Sequence, residues 1–461
     1  MQPIIHFYDA QYIGTPALGQ LVAFDSLACT ASDVRRYSTR IRLRQDVSFS
    51  PQAIEQLDCY DQDLGAGETE YEWSRKAQSL FGSPATLHVG LGNTSSLDNY
   101  IRFALYRCLS TLPNTELPSG AYYLDLLTVS RALSLLRPET DPHKLPAQWN
   151  DQRRRNYVLG KYGDFSGAEC VKEFAGSLAG ANPGMFAHAI AHSSPRQIAS
   201  LCGLVDGQVE SLSILKPVFI CHEKLMAPNQ FGVFLALGTD PQYRNIVYMV
   251  DLQCDLSDLI EDAGESVSKF IRSEADESDK PVVRVNLNRI PFVSPLGVVD
   301  RSTAARLGID PSLIKSRVAQ LQNLPELCLA LLEVSGASGA NLVADPDFQL
   351  YGAEYLEPDK ALLRNLHQAS PDEWGGLLIR AHDARITALG ERLIRRCKPA
   401  LSSKSEMQNW VEHCASRLVG KVDPSRMQAT KAYCSNVAGS PANPLGVRTA
   451  AKHWLHTTGL E

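Results

Sequence analysis

Three groups of side chains in this sequence have types and spacings suited to chemistry. A short apolar strand from Pro3 ends on Asp9 and runs on through Ala10 to Gln11. Alternate residues of a strand share one face, so Asp9 and Gln11 project together. Arg153, Arg154 and Arg155 form a basic run beside Trp149 and Tyr157. That mixture suits phosphate contact combined with base stacking, and a solvated basic loop is the plainer alternative. His188 and His192 stand four apart on a predicted helix, the spacing of a metal pair. No Glu follows His188 as in H-E-x-x-H, so helix packing accounts for them better. His453 and His456 read as surface residues. No phosphate-binding G-x-x-x-x-G-K-[ST] loop, G-x-G-x-x-G or G-x-S-x-G occurs, so nucleotide hydrolysis, dinucleotide binding and serine hydrolysis have no support.

The elements that must position these residues change in character along the chain. Up to about residue 190 the pattern is α/β. Strand-like runs occupy Pro3 to Asp9, Leu21 to Cys29, Tyr37 to Val47 and Ala85 to Gly92, and helical spacing follows in Leu97–Leu109 and Leu124–Leu136. Arg137-Pro138 stops the second helix, as proline requires. Strands first and helices after predict a mixed sheet flanked by helices. From Pro195 to Gly339, short β-rich runs (Pro217–Cys221, Gly232–Gly238, Ile246–Leu252, Val282–Val293) separated by polar turns predict a small β-barrel. A helical stretch around Pro311–Leu332 is attached to it. Gly336-Ala337-Ser338-Gly339 reads as a linker, and Leu350 onward is almost entirely of helical period. The expected domains are therefore 1–190, 191–338 and 339–461.

A chain of 461 residues with 44% hydrophobic and 21% charged side chains is ordinary for a multidomain globular protein. No apolar run reaches the ~20 residues of a membrane span, and the N-terminus lacks a signal-peptide pattern. Eleven cysteines without any C-x-x-C pair predict reduced, mostly buried thiols and a cytoplasmic protein without a membrane partner. The net charge of −6 works weakly against a nucleic-acid partner but leaves room for a local basic groove.

The segment Asp9-Ala10-Gln11-Tyr12-Ile13-Gly14-Thr15-Pro16-Ala17-Leu18 resembles the opening motif of the bacterial exonuclease I family, D-x-E followed by T-F-G-T and P-A-L. Further blocks occur in matching order: Asp125 to Ala132, Leu136-Arg137-Pro138-Glu139, Lys216-Pro217-Val218, Arg244 to Leu252, Asn288-Arg289-Ile290-Pro291, Ala305 to Ile309, Gln349-Leu350-Tyr351-Gly352 and Asp383-Ala384-Arg385-Ile386. The resemblance implies an RNase H-like exonuclease domain followed by an SH3-like barrel and an all-helical C-terminal domain. It also implies 3′→5′ hydrolysis of single-stranded DNA by two Mg²⁺ ions held on carboxylates.

Residue by residue, the motif is degenerate. Asp9 stands at the first ligand position, whereas Gln11 keeps an oxygen and loses a charge. The second motif puts Leu97 at the ligand position in a gap-free comparison and Asp98 there after a one-residue shift. The third motif, H-D-x-x-x-D, meets Lys161 to Lys172, which contains no His and one Asp, Asp164. Glu169 is the only further carboxylate that could be offered there. The missing His would be the general base. The remnant site is thus Asp9, Gln11, Asp98 and Asp164, with Asp9 and Asp98 as ligands for at most weakly bound Mg²⁺. The family's DNA contacts carry over to Arg102, Arg131 and Arg137, joined by the Arg153–Arg155 run.

The family also binds the acidic tail of single-stranded DNA-binding protein on its barrel. Lys216 matches one basic residue of that pocket, while Gln322 falls where an Arg is expected and Asp300 or Arg301 where another is. The expected function is that of a single-strand-binding scaffold without hydrolysis in DNA metabolism. An active Mg²⁺-dependent exonuclease and a protein-interaction subunit without DNA binding are the alternatives.

Overall fold

The computed structural model describes residues 4–48, 64–111, 121–164, 166–206, 208–209, 216–225, 230–241, 243–262, 267–272, 280–324, 327, 345–419 and 426–459. Its first unit is built on a five-stranded sheet of β1 (Ile4–Ile13), β2 (Gln20–Cys29), β3 (Val34–Arg40), β4 (Thr86–Gly90) and β5 (Tyr122–Asp125), in the order β3-β2-β1-β4-β5. β1 and β2 form an antiparallel hairpin, and β4 and β5 run parallel to β1. Helices α1 (Glu70–Phe81), α2 (Asp98–Arg107), α3 (Leu126–Leu136), α4 (Asp151–Lys161), α5 (Gly167–Ala181) and α6 (Pro183–Ala191) cover it. This is the mixed, helix-flanked sheet expected from the pattern.

β1 runs past its expected end at Asp9 to Ile13, and two further boundaries of this unit differ from the sequence reading. The run Tyr37–Val47 is strand only to Arg40, because the next residues leave the sheet to bond the chain before α1, with Arg42 N–H to Glu68 O at 2.8 Å. The helix expected from Leu124 starts at Leu126, since Leu124 and Asp125 complete β5 and the Asp125 side chain caps the helix through Leu127 N–H.

The second unit follows α7 (Pro195–Leu201) and a two-residue hairpin, β6 (Leu204–Val205) with β7 (Gln208–Val209). Its antiparallel sheet has the order β11-β10-β9-β8-β12, made of β8 (Val218–Cys221), β9 (Phe231–Thr239), β10 (Ile246–Asp251), β11 (Val282–Asn286) and β12 (Phe292–Pro295). The single run expected over Val282–Val293 is two strands, parted by a 3-10 turn at Leu287–Arg289. Both faces of the sheet are buried. Phe219 and Cys221 join the core under α3 and α5, while Val218 and Ile220 pack with Ile198 and Tyr123. The first two units therefore share one continuous apolar core. Helices α8 (Ser257–Glu261), α9 (Arg301–Leu307) and α10 (Pro311–Leu321) complete the unit. The linker expected at 336–339 lies outside the described residues.

The third unit is helical: α11 (Glu357–Gln368), α12 (Trp374–Leu378), α13 (Ala384–Cys397), α14 (Lys404–Val419), α15 (Met427–Gly439) and α16 (Leu445–Thr458). It docks on the first unit at two apolar contacts, one between Phe103 and Tyr106 of α2 and the Leu362–Leu393 side chains, the other between Val22 or Val47 and Trp454. A buried ionic lattice joins them as well. Asp46 meets Arg396 at 2.5 Å and Arg417 at 3.2 Å, Asp347 meets Arg392 at 2.8 Å and Arg417 at 2.6 Å, and Glu70 meets Arg44 at 2.7 Å and Arg107 at 2.8 Å. His453, read from sequence as a surface residue, is half-buried here, and burial pushes its imidazole down to about 4. No helix of the described residues is long and apolar enough to cross a membrane.

Candidate functional site

The cleft of interest opens at the carboxyl ends of β1 and β4. It is a cavity of about 180 Å³ bordered by Tyr12, Ser96, Gln152, Arg155, Glu223 and Lys224 among others. β1 sends Tyr8 and Asp9 to opposite faces of the sheet, because successive strand residues alternate. Tyr8 enters the aromatic core beneath α1 and α2, and Asp9 turns toward α4 and α5.

On the Asp9 face the carboxylate is already neutralised. Arg155 Nη2 lies 2.6 Å from Asp9 Oδ1, and the same guanidinium donates to Leu91 O at 3.0 Å. The start of α5 presses on the other side, where a Cβ at Gly167 would lie 3.0 Å from Asp9 Oδ2. A glycine is what allows this approach. The residues that α5 presents nearby are Gly167, Cys170 and Val171, and the Cys170 thiol is pushed up to about 12 by burial, with the Asp9 charge adding.

Asp25 stands directly opposite Asp9 across the hairpin and accepts the Ala168 N–H at 2.8 Å. Helix N-termini favour negative charge, so the two carboxylates of this face are held by a guanidinium and a helix end. Asp25 was not singled out from sequence, because its pairing depends on the hairpin register. Gln11, two residues beyond Asp9, is half-buried with its Oε1 lacking a partner.

Asp98 belongs to the other face. Its Oδ1 accepts from Tyr8 Oη at 2.5 Å, and Asn93 donates to the same hydroxyl at 2.9 Å. Burial raises the Asp98 carboxyl to about 6, against the Tyr8 hydrogen bond and the nearby Arg102 charge. The pairing of Asp98 with Asp9 as joint metal ligands is thus corrected: they take different partners on opposite sides of β1. Asp164 is exposed in the turn after α4. Glu169 closes the α5 capping box with Ser166 and pairs with Arg36 at 2.9 Å, so its carboxylate is committed to the helix start. Hard divalent cations need several anionic oxygens around one point. Among the described residues no three such side chains converge on one point, and the donor set around Asp9 does not fit a two-metal centre.

The arginines divide by burial. Arg131 is fully buried, 2.7 Å from Asp151 and bonded to Ala147 O and Gln230. Arg154 is fully buried too, donating to Ser130 Oγ and to the carbonyls of Pro146 and Trp149. Both tie α4 to the end of the loop before it, and their expected role as strand contacts is withdrawn, since no charge of theirs reaches solvent. Arg155 is engaged by Asp9. Arg137, half-buried, donates to Leu136 O and to Val298 O at 3.0 Å, stapling α3 to the second unit. Arg153 is exposed and stacks 5.1 Å over Trp149. Arg102 lies half-buried on α2, near enough to Asp98, Tyr123 and Tyr351 to act on each electrostatically. Lys216 is exposed just before β8.

A carboxyl cluster missed by the sequence reading consists of Asp151 and Glu223, which border the cavity, and the buried Asp125. Burial and then the Asp151 charge raise Asp125 to about 7, against hydrogen bonds from Gly92 N–H, Leu127 N–H and the Thr94 hydroxyl. Glu223 is raised by burial and by Asp151, whose backbone N–H it accepts at 3.0 Å. Asp151 itself stays low, burial being outweighed by Arg131. Glu223 and Asp151 lie 72 residues apart in sequence and only the fold brings them together. His188 and His192, as expected, are packing residues, with His188 Nε2 bonded to Val293 O at 2.8 Å.

Residues 214–334 match the family described as Exonuclease I SH3-like domain, and residues 344–442 match Exonuclease I C-terminal domain. Exodeoxyribonuclease I of Escherichia coli (strain K12) is 24% identical over 369 residues, spanning 75% of this chain and 74% of that one. Its Haemophilus influenzae counterpart is 22% identical over 384 residues, 76% of each chain. The crystal structure of E. coli Exonuclease I in complex with a dA16 oligonucleotide matches over the whole of both chains, with a TM-score of 0.81 at 21% identity. A crystal structure of SSB/Exonuclease I in complex with inhibitor CFAM matches equally, with a TM-score of 0.81 at 21% identity and full coverage of both chains. The fold is shared throughout.

Proposed function

Because the chain belongs to the exonuclease I family, we propose that it binds single-stranded DNA in the cleft between its first two units without hydrolysing it. The observation that carries this reading is the Arg155–Asp9 ion pair at 2.6 Å. A guanidinium sits on the carboxylate that a metal would need, so binding Mg²⁺ there requires breaking a largely buried salt bridge and gains no second charge from Gln11. No step is therefore routed through a metal. Arg153 over Trp149, Arg102 and Lys224 supply the cationic and aromatic contacts that hold a strand by phosphate charge and base stacking. The three units, taken as 1–190, 191–338 and 339–461, would enclose it jointly.

Solved relatives include an oligonucleotide complex and an SSB complex, and the proposal extends to both partner classes. The exposed Lys216 is the residue we assign to an acidic protein tail. The role in DNA metabolism follows from this binding.

The test is direct. Purified protein with 5′-labelled single-stranded DNA and Mg²⁺ or Mn²⁺ should give a salt-sensitive gel shift and no ladder. A ladder abolished by Asp9→Ala would overturn the non-hydrolytic reading, and absence of any shift would overturn the binding one.

A further inference from the structure

β3 is an outer strand of the first sheet, and hydrogen bonds fix which of its backbone groups face away from that sheet. Its register with β2 is unbroken from Val34 opposite Cys29 to Arg40 opposite Ala23. Ile41 N–H continues that register inward to Val22 O at 2.9 Å, and Tyr37 O accepts the Ser26 hydroxyl from the same side. In an antiparallel pair every second residue turns both backbone groups to its neighbour, so Arg35, Tyr37 and Thr39 bond inward. Val34, Arg36, Ser38 and Arg40 face out. Arg40 confirms the phase, its carbonyl accepting Glu68 N–H at 3.0 Å just before α1. Among the described residues nothing pairs with the outer groups of Val34, Arg36 and Ser38. The open edge is about as long as a common strand.

Charge says what fits there. β3 carries three arginines and no acid, in a chain of net charge −6. The Arg35 side chain is 82% exposed and meets Asp33 at 2.9 Å, an exposed pair of little strength. Arg36 reaches Glu169 on the α5 side of the sheet, at 2.9 Å. Arg40 shares that side by alternation, is exposed, and has no ion pair among the described residues. On the other side Tyr37 is half-buried, with Lys76 5.0 Å over its ring. Like charges directly opposite one another destabilise a strand pair. The arginines therefore disfavour a second copy of β3 and favour an acidic strand.

We propose that the edge Val34–Ser38 docks an extended acidic segment of a partner protein, which adds a strand to the first sheet. The segment's main chain bonds Val34, Arg36 and Ser38. Its carboxylates at alternate positions reach Arg36 and Arg40, and apolar residues between them cover Tyr37. None of these residues borders the cleft, and Lys216 belongs to the second unit, before β8. The proposal does not depend on strand binding in the cleft.

The test is fluorescence anisotropy of the full chain with a labelled peptide of about six residues alternating Glu and Val. Wild type should bind it with an affinity that falls with salt, and a peptide alternating Lys and Val should not bind. Ser38→Pro removes an outward N–H and spares the β2 ladder, since proline is tolerated on strand edges. At an unchanged melting temperature it should weaken binding several-fold, and Arg40→Glu should do so through charge. An acidic peptide N-methylated at alternate residues keeps its charge, loses donors and should not bind wild type, an arm that leaves the protein unaltered. Full binding of the methylated peptide, or by Ser38→Pro at an unchanged melting temperature, would reduce the contact to charge and overturn edge pairing. Failure of wild type to bind the acidic peptide would overturn it too. Two other occupants would also sink it: sedimentation as a dimer that Ser38→Pro makes monomeric, or single-stranded DNA that displaces the peptide.

Discussion

Arg155 and Asp9 come from elements almost 150 residues apart in sequence and meet at 2.6 Å over the end of the first strand. The guanidinium supplies the compensating charge that a buried carboxylate under α5 needs.

Loss of that cation should be felt in stability. Arg155→Ala is expected to cost about 3 kcal/mol in urea unfolding, because one member of a largely buried pair is left alone. Asp9→Asn combined with Arg155→Ala should cost less than the two singles summed. Mn²⁺ should restore part of the loss in Arg155→Ala and leave wild type unchanged. A Mn²⁺-dependent rise in wild-type melting temperature would show that the metal competes with the guanidinium after all.

The two kinds of arginine are separable by experiment. Arg153→Ala should weaken a salt-dependent DNA shift while leaving the melting temperature in place, since the side chain is exposed over Trp149. Arg131→Ala should instead destabilise the fold by about 3–5 kcal/mol by removing the guanidinium that compensates the buried Asp151 carboxylate. Reversal of these two phenotypes would return Arg131 to the binding surface.

The lattice around Asp46 holds the third unit to the first. Asp46 is fully buried among Arg44, Arg396 and Arg417, whose charges keep its carboxyl well below the usual range although burial alone would raise it. Asp46→Ala is expected to cost about 3–5 kcal/mol. Limited proteolysis should then release the helical unit earlier than in wild type.

Asp98 gives a pH signature. Its folded-state value of about 6 lies above the ordinary 3.8, so the folded chain holds the proton more tightly than the unfolded one. The stability this provides is fully present below about pH 4 and is lost as pH rises through 6. Asp98→Asn keeps an acceptor for Tyr8 and removes the titration. Measured by urea unfolding, the variant should gain on wild type between pH 4 and pH 6 and hold that gain above it. A flat difference would mean that Asp98 is ionised throughout.

Much of the architecture was legible in the residues alone. Strand and helix periods depend on local side-chain spacing, so the mixed sheet, the β-rich middle and the helical end could all be read, as could the missing charge at Gln11 and the missing His and Asp between Lys161 and Lys172. The boundaries at Arg40, Leu126 and Leu287 could not, because hydrogen bonds to distant chain (Glu68) or local capping (Asp125) decide them. Arg131, Arg154 and Arg155 look alike in sequence, yet two are buried braces and one is a plug, a difference set by how α4 packs. Asp25 became visible only through the β1–β2 register. The sequence by itself determined which charges the site lacks. Tertiary structure decided which of the remaining charges face each other, because a carboxylate's role depends on the partner that packing brings within a few ångströms.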